Sequence, residues 1–137
     1  MIKYTSVEIS RCLAEAGFEV TPPDAMWGID PITKEWRIDT WYYTTNERRA
    51  YRSDTLLTWL LSLDSKEVAA KMGVRTLAEN GDRGCLRVEQ ARIDSKGTLA
   101  YVVQLYRPIE MGSQGPVLAD ALGLLVCRVM KEMEAKP

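Results

Sequence analysis

Hydrophobic and polar residues repeat along this chain with two periods, and each change of period marks an element. Ile9, Cys12, Leu13 and Ala16 recur at helical spacing. The run TSVE ahead of them, Thr5 to Glu8, reads as a capping box in which the Thr5 hydroxyl takes an early backbone N–H and Glu8 reaches back. Gly17 stands where a left-handed residue closes a helix, with Phe18 placed to pack back on Leu13. Pro22 and Pro23 forbid further helix.

The period then falls to two. Ala25 to Asp30 predicts a short strand, Pro31 to Lys34 a turn, and Glu35 to Thr44, EWRIDTWYYT, a strong strand rich in aromatic and β-branched residues. Trp36, Ile38, Thr40 and Tyr42 share one face of it, and Arg37, Asp39, Trp41 and Tyr43 the other. The polar TTNERR that follows predicts a turn. Ser53 and Asp54 then open a helix by the N-cap rule, and Leu56, Leu57, Trp59, Leu60, Leu61 and Leu63 make it apolar around more than half its circumference. A break at Asp64 to Glu67 leads to a short helix, Lys66 to Met72, ended by Gly73.

Three strands are predicted next: Val74 to Glu79, Cys85 to Ile93 and Thr98 to Tyr106. NGDRG, Asn80 to Gly84, and DSKG, Asp94 to Gly97, are the turns between them. The third strand, TLAYVVQLY, is the most apolar and belongs at the centre of a sheet. Arg107 to Gly115 predicts a loop. A long helix then starts with Gly115 as N-cap and Pro116 in its first position, carrying a stripe of Leu118, Ala121, Leu122, Leu125, Val129 and Met133. The expected fold is one α+β domain over residues 1–137, in the order αββα(α)βββα. An antiparallel sheet of about five strands would carry helices on both faces, an α/β/α sandwich.

Composition narrows the function more than the fold. With 137 residues, 46% hydrophobic and 27% charged, the chain is ordinary globular material. It contains no histidine, so no Ser-His-Asp or Cys-His arrangement and no His-bearing zinc site can be built within it. Cys12, Cys85 and Cys127 are far apart and form no CxxC pair, which argues for reduced thiols in the cytoplasm. MIKYTSVEIS has no apolar signal core, and ALGLLV is too short to span a bilayer, so no membrane association is expected. A net charge of −1 speaks against a dedicated duplex nucleic-acid binder.

Tyr51, Ser53 and Asp54 opening a helix resemble the phage ABA-sandwich domain family. So do a Trp-bearing strand at Trp36 or Trp41 and a closing helix with Ala121 and Leu122 near Cys127. The similarity covers roughly residues 41–134. It implies a sheet between helical layers and a phage or prophage origin, and it implies no activity.

One cluster points to binding chemistry. Tyr42, Tyr43, Arg48, Arg49, Tyr51 and Arg52 gather across a strand end and a turn. Guanidinium forks grip phosphate or carboxylate and tyrosine rings supply stacking faces. The same residues also suit a solvated turn whose tyrosines are half core. Asp24, Asp30, Glu35 and Asp39 around the first hairpin match no metal-loop spacing, and turns favour aspartate in any case. NGDRG lacks the phosphate-loop pattern, and Ser113 lacks the flanks of a nucleophile elbow. Trp27, Trp36, Trp41 and Trp59 suit a core, although an exposed Trp41–Tyr43 face would need a helix or a partner to cover it. The expected function is non-catalytic binding or regulation through protein–protein contacts, such as inhibition of a host or defence factor, with no cofactor and no metal. The alternative is nucleic-acid or nucleotide binding through the Arg/Tyr cluster.

Overall fold

A computed structural model of the chain describes residues 4–20, 23–30, 32–39, 48–63, 86–92, 94–106 and 110–135, with backbone alone at 39, 48 and 135. The helix predicted at Lys66 to Met72, the strand at Val74 to Glu79, Trp41 and Cys85 lie outside them.

Helix α1 spans Val7–Glu15. Its N-cap is Ser6, one residue later than the capping box predicts, with the Ser6 hydroxyl accepting from the Ile9 N–H at 3.3 Å. The backbone N–H of Ser6 goes to Asp120 Oδ1 at 2.6 Å, so a carboxylate from a distant helix stands where Glu8 was expected. The shift frees Thr5 for the interior. Fully buried, it accepts from the Tyr51 N–H at 3.2 Å and shares a hydrogen bond with the Ser10 hydroxyl at 2.7 Å. The C-terminus closes as predicted. The Phe18 N–H reaches Leu13 O at 2.9 Å and the Gly17 N–H reaches Ala14 O at 3.1 Å, with Gly17 at φ +88°.

Strands β1 (Ala25–Ile29), β2 (Trp36–Asp39) and β3 (Arg48–Ala50) form one antiparallel sheet in the order β2-β1-β3. The β1–β2 hairpin was predicted, whereas β3 falls in the stretch read as a turn. Arg48 and Arg49 carry no apolar alternation; what fixes β3 is Ala50 facing Ala25, both fully buried, with β3 packed on α1. Helix α2 follows at Ser53–Ser62. Its N-cap is Arg52 rather than Ser53 or Asp54, and no side chain caps it. The Arg52 N–H instead reaches Asp24 Oδ2 at 2.8 Å, because the chain is still bridged to Tyr4 at that point.

Strands β4 (Leu86–Arg92), β5 (Leu99–Leu105) and β6 (Met111–Gly115) form a second antiparallel sheet with β5 in the middle, as its apolar sequence predicts. The sequence pattern predicts a loop where β6 lies. The strand is set by contacts that local sequence does not advertise: the buried Ser113 hydroxyl donates to Ala121 O, and Arg128 donates to Gly112 O. The described strands therefore divide into two sheets of three, where one sheet of about five was expected.

Helix α3, Leu118–Ala135, organises the core. It begins two residues beyond Pro116, the predicted first position. It packs against α1, α2, β5 and β6. Ala121 meets β6, while Gly123, about 200° further round the helix, meets Ile9 of α1. Among the described residues α3 thus lies between α1 and β6, and the single central sheet expected from the pattern is not seen there. Leu13, Leu56, Leu60, Val103, Leu105, Leu125, Val126 and Val129 are fully buried around it. No helix among the described residues is long and apolar enough to cross a membrane.

Candidate functional site

The first hairpin changes character along its length. Ala25, Trp27 and Ile29 alternate onto one face of β1, and cross-strand pairing puts Ile38 opposite Trp27 and Trp36 opposite Ile29. At the inner end Ala25 is fully buried. Midway, Trp27 is half-buried, and its Nε1–H donates to Thr5 O at 2.7 Å. At the outer end Ile29 is 55% exposed, Trp36 and Ile38 are each 37% exposed, and Ile32 in the turn is 88% exposed. One apolar face is thus core at its root and surface at its tip.

The tip is held in shape. Asp30 Oδ1 accepts from the Ile32 N–H at 2.8 Å and the Thr33 N–H at 3.2 Å, an Asx turn. The Asp30 N–H donates to Glu35 O at 2.8 Å, and the Lys34 N–H to Asp30 O at 2.9 Å. Arg37 pairs with Asp30 Oδ2 at 2.9 Å. The backbone N–H of Ile32, then Arg37 and the Thr33 N–H, hold the Asp30 carboxyl below its ordinary pKa. Lys34 sits at φ +62°, the left-handed position that lets the chain turn back. These bonds fix the backbone of the turn that carries Ile32.

The Arg/Tyr cluster is placed differently. Tyr42 and Tyr43 lie outside the described residues, and of Arg48 only the backbone, in β3, is described. Tyr51 is 1% exposed, edge-on to Phe18 at 4.9 Å between ring centroids, with its hydroxyl accepting from the Val20 N–H at 3.4 Å. Burial pushes its pKa up, against the pull of that N–H and of Arg49. Arg49 pairs with Glu19 at 2.9 Å, and Arg52 with Asp54 at 3.2 Å. The structure therefore brings Tyr51 and Arg49 together but gives Tyr51 to the core, so its ring offers no stacking face.

Of the acids near the hairpin, Asp24 serves the Arg52 N–H and Asp30 builds the turn. Among the described residues no three acids or thiols gather as a metal would require. Cys127 is buried, Cys12 is half-buried, and neither is in a disulfide. Burial pushes the Cys127 thiol up to about 11, the opposite of what a nucleophile needs. Two open clefts of about 400 and 430 Å³ flank Trp59, one reaching Met130 and Met133, the other reaching Val20 and Thr58. No family model, curated protein or solved structure matches this chain.

The isoleucines at the hairpin tip were not singled out from sequence. The alternation of EWRID put Trp36 and Ile38 together on one face. That Ile29 joins them follows from the cross-strand register, and Ile32 stands next in the turn, 88% exposed.

Proposed function

We propose that this is a non-catalytic binding protein of phage type that grips another protein with the exposed tip of its first hairpin. The observation that carries this reading is the uncovered set Ile29, Ile32 and Ile38 on a stiffly bonded turn. Burying such surface yields about 25 cal/mol per Å², and a pre-ordered turn loses little freedom on docking. Asp30, Lys34, Glu35 and Arg37 rim the patch with both signs of charge, so the fitting partner offers an apolar recess with a mixed polar edge. Covering a functional surface of a host or defence factor in this way needs no bond-making group. The phage assignment rests on the resemblance carried by Tyr51, Ser53, Asp54, Ala121, Leu122 and Cys127. The unpaired Cys12 and Cys127 suit a reducing cytoplasm.

Nucleic-acid or nucleotide binding through the Arg/Tyr cluster draws less support, because Tyr51 is buried and Arg49 and Arg52 already hold carboxylates. The test compares proteins captured from a bacterial host lysate by wild type, by Ile29→Ser/Ile38→Ser and by Arg49→Ala/Arg52→Ala, followed by titration of the purified partner. The reading predicts a partner lost with the isoleucine variant, retained by the arginine variant and little affected by salt. A partner that survives the isoleucine change, or a nucleic acid bound with steep salt dependence through the arginines, would replace it.

A further inference from the structure

Among the described residues strand β4 is an edge. Its seven residues make it, with β5, the longest strand described, and among the described residues it pairs with β5 alone. Arg87, Val88, Glu89, Gln90 and Arg92 are exposed, so both of its faces meet solvent. Edge strands are usually blunted by proline, a bulge, charged side chains or brevity. LRVEQAR has no proline, no bulge and seven residues, so its only such device is the charge on Arg87, Glu89 and Arg92, and between Arg87 and Glu89 stands Val88, 41% exposed.

Its charges are of opposite sign and two residues apart. Arg87 and Glu89 share a face and pair at 3.0 Å, and Arg87 also bonds the Tyr106 side chain. That spacing matters when the edge meets a copy of itself. Two antiparallel edges joined in one continuous sheet are related by a twofold axis normal to it. Residues facing each other must lie on the same side, so the axis passes through a residue rather than between two. An axis through Arg87 or Glu89 sets like charges against each other. One through Gln90 sets Val88 against Arg92 and Glu89 against Ala91. An axis through Val88 sets Arg87 against Glu89 of the second copy, twice, with valine on valine at the centre and Leu86 opposite Gln90. Directly opposed unlike charges stabilise a strand pair and like charges oppose it. The strand is complementary to itself in that register.

We propose that β4 pairs with β4 of a second copy about a twofold axis through Val88, joining two three-stranded sheets into one of six strands. The interface is isologous, so each contact between Arg87 and Glu89 occurs twice. The four charges close a ring in which every arginine has a carboxylate within its own strand and another across the axis.

Sedimentation equilibrium over a wide concentration range tests this, with far-UV circular dichroism and thermal melting to follow the fold. Wild type should be in reversible monomer–dimer exchange. Glu89→Arg and Arg87→Glu should each weaken association by at least about tenfold, since each turns two attractive pairs into repulsive ones. The double exchange Arg87→Glu/Glu89→Arg should restore it. Both side chains are largely exposed (63% and 45%), so the fold should persist. Val88→Lys, which sets two ammonium groups on the axis, should weaken pairing independently of the ion ring. A wild type that stays monomeric at every concentration, or a double exchange no tighter than the single ones, overturns the proposal.

Discussion

Gly123 lies in α3 where α1 crosses it, and its replacement by alanine tests whether the α1–α3 contact is as tightly packed as described. In an open helix this change gains about 1 kcal/mol, because alanine orders at lower entropic cost. Here a Cβ would stand 2.5 Å from Ile9 Cγ2, 3.2 Å from Thr5 Cγ2 and 3.6 Å from Leu13 Cδ1. Carbon atoms settle at about 3.5–4.0 Å, so Ile9 has to retreat by about 1 Å. Its Cγ2 is a branch at Cβ with one preferred rotamer in a helix, so it cannot swing aside. Helix α1 must move instead, and it is tied down at Ser6 by Asp120 and at Thr5 by Tyr51. Overpacking of this kind costs about 1–3 kcal/mol, which leaves Gly123→Ala destabilised by about 1 kcal/mol after the helix gain. Urea denaturation, read as a shift of midpoint at constant slope, measures it. In an Ile9→Ala background the obstructing methyl is gone and the same change should stabilise. The two-residue cycle should therefore show coupling of about 1–3 kcal/mol. A Gly123→Ala protein more stable than wild type, or a coupling near zero, would refute this account of the α1–α3 contact.

Thr5→Val keeps the shape of the side chain but strands the Tyr51 N–H in the interior and leaves the Ser10 hydroxyl only the Thr5 carbonyl, at 3.5 Å. It should cost about 1–3 kcal/mol in urea denaturation, while Thr5→Ser, which keeps the hydroxyl, should cost less; a Thr5→Val protein as stable as wild type would refute the role of the hydroxyl. Cys127 gives a pH signature. Its folded thiol is raised from the ordinary value of 9.0 to about 11 by burial. The folded state therefore holds its proton more tightly. The contribution is complete below the unfolded value and is lost as pH rises from there towards the folded one, by on the order of 2–3 kcal/mol. Wild type should lose stability across that window relative to Cys127→Ala, and parallel melting profiles would contradict the burial of the thiol.

Sequence pattern was informative where an element is decided by its own residues. Gly17 and Phe18 close α1 as their types require, the alternation in β2 puts Trp36 and Ile38 on the face shared with Trp27, and the apolar run of β5 is set by side chains that face the core. It was uninformative where a distant neighbour decides. Arg48 to Ala50 and Met111 to Gly115 carry little apolar periodicity, and become strands because Ala50 meets Ala25 and Ser113 reaches Ala121. Tyr51 was grouped with Arg48, Arg49 and Arg52 because they adjoin it in sequence. Its ring instead meets Phe18, a contact across thirty-three positions that no local spacing encodes. The capping error at Thr5 has the same origin, since Asp120 supplies from another helix the carboxylate that Glu8 would have supplied locally.

The two proposed surfaces differ in kind, and that difference makes them separable. The hairpin tip offers apolar side chains, with Ile29 and Ile32 contributing most of the exposed area. The β4 edge offers backbone groups and an opposed charge pair, in a different sheet of the molecule. Helix α3 explains why both are left over: α1 and α2 pack against it, and so do β5 and β6, whereas it makes no comparable contact with β1, β2 or β4. Strands that the central helix does not cover keep their faces or edges for other molecules. Ile29→Ser/Ile38→Ser should therefore leave self-association intact, and Glu89→Arg should leave capture through the hairpin intact. If either variant abolished both, a single occupant would have to bridge the two sheets, and the independence argued from the packing of α3 would fail.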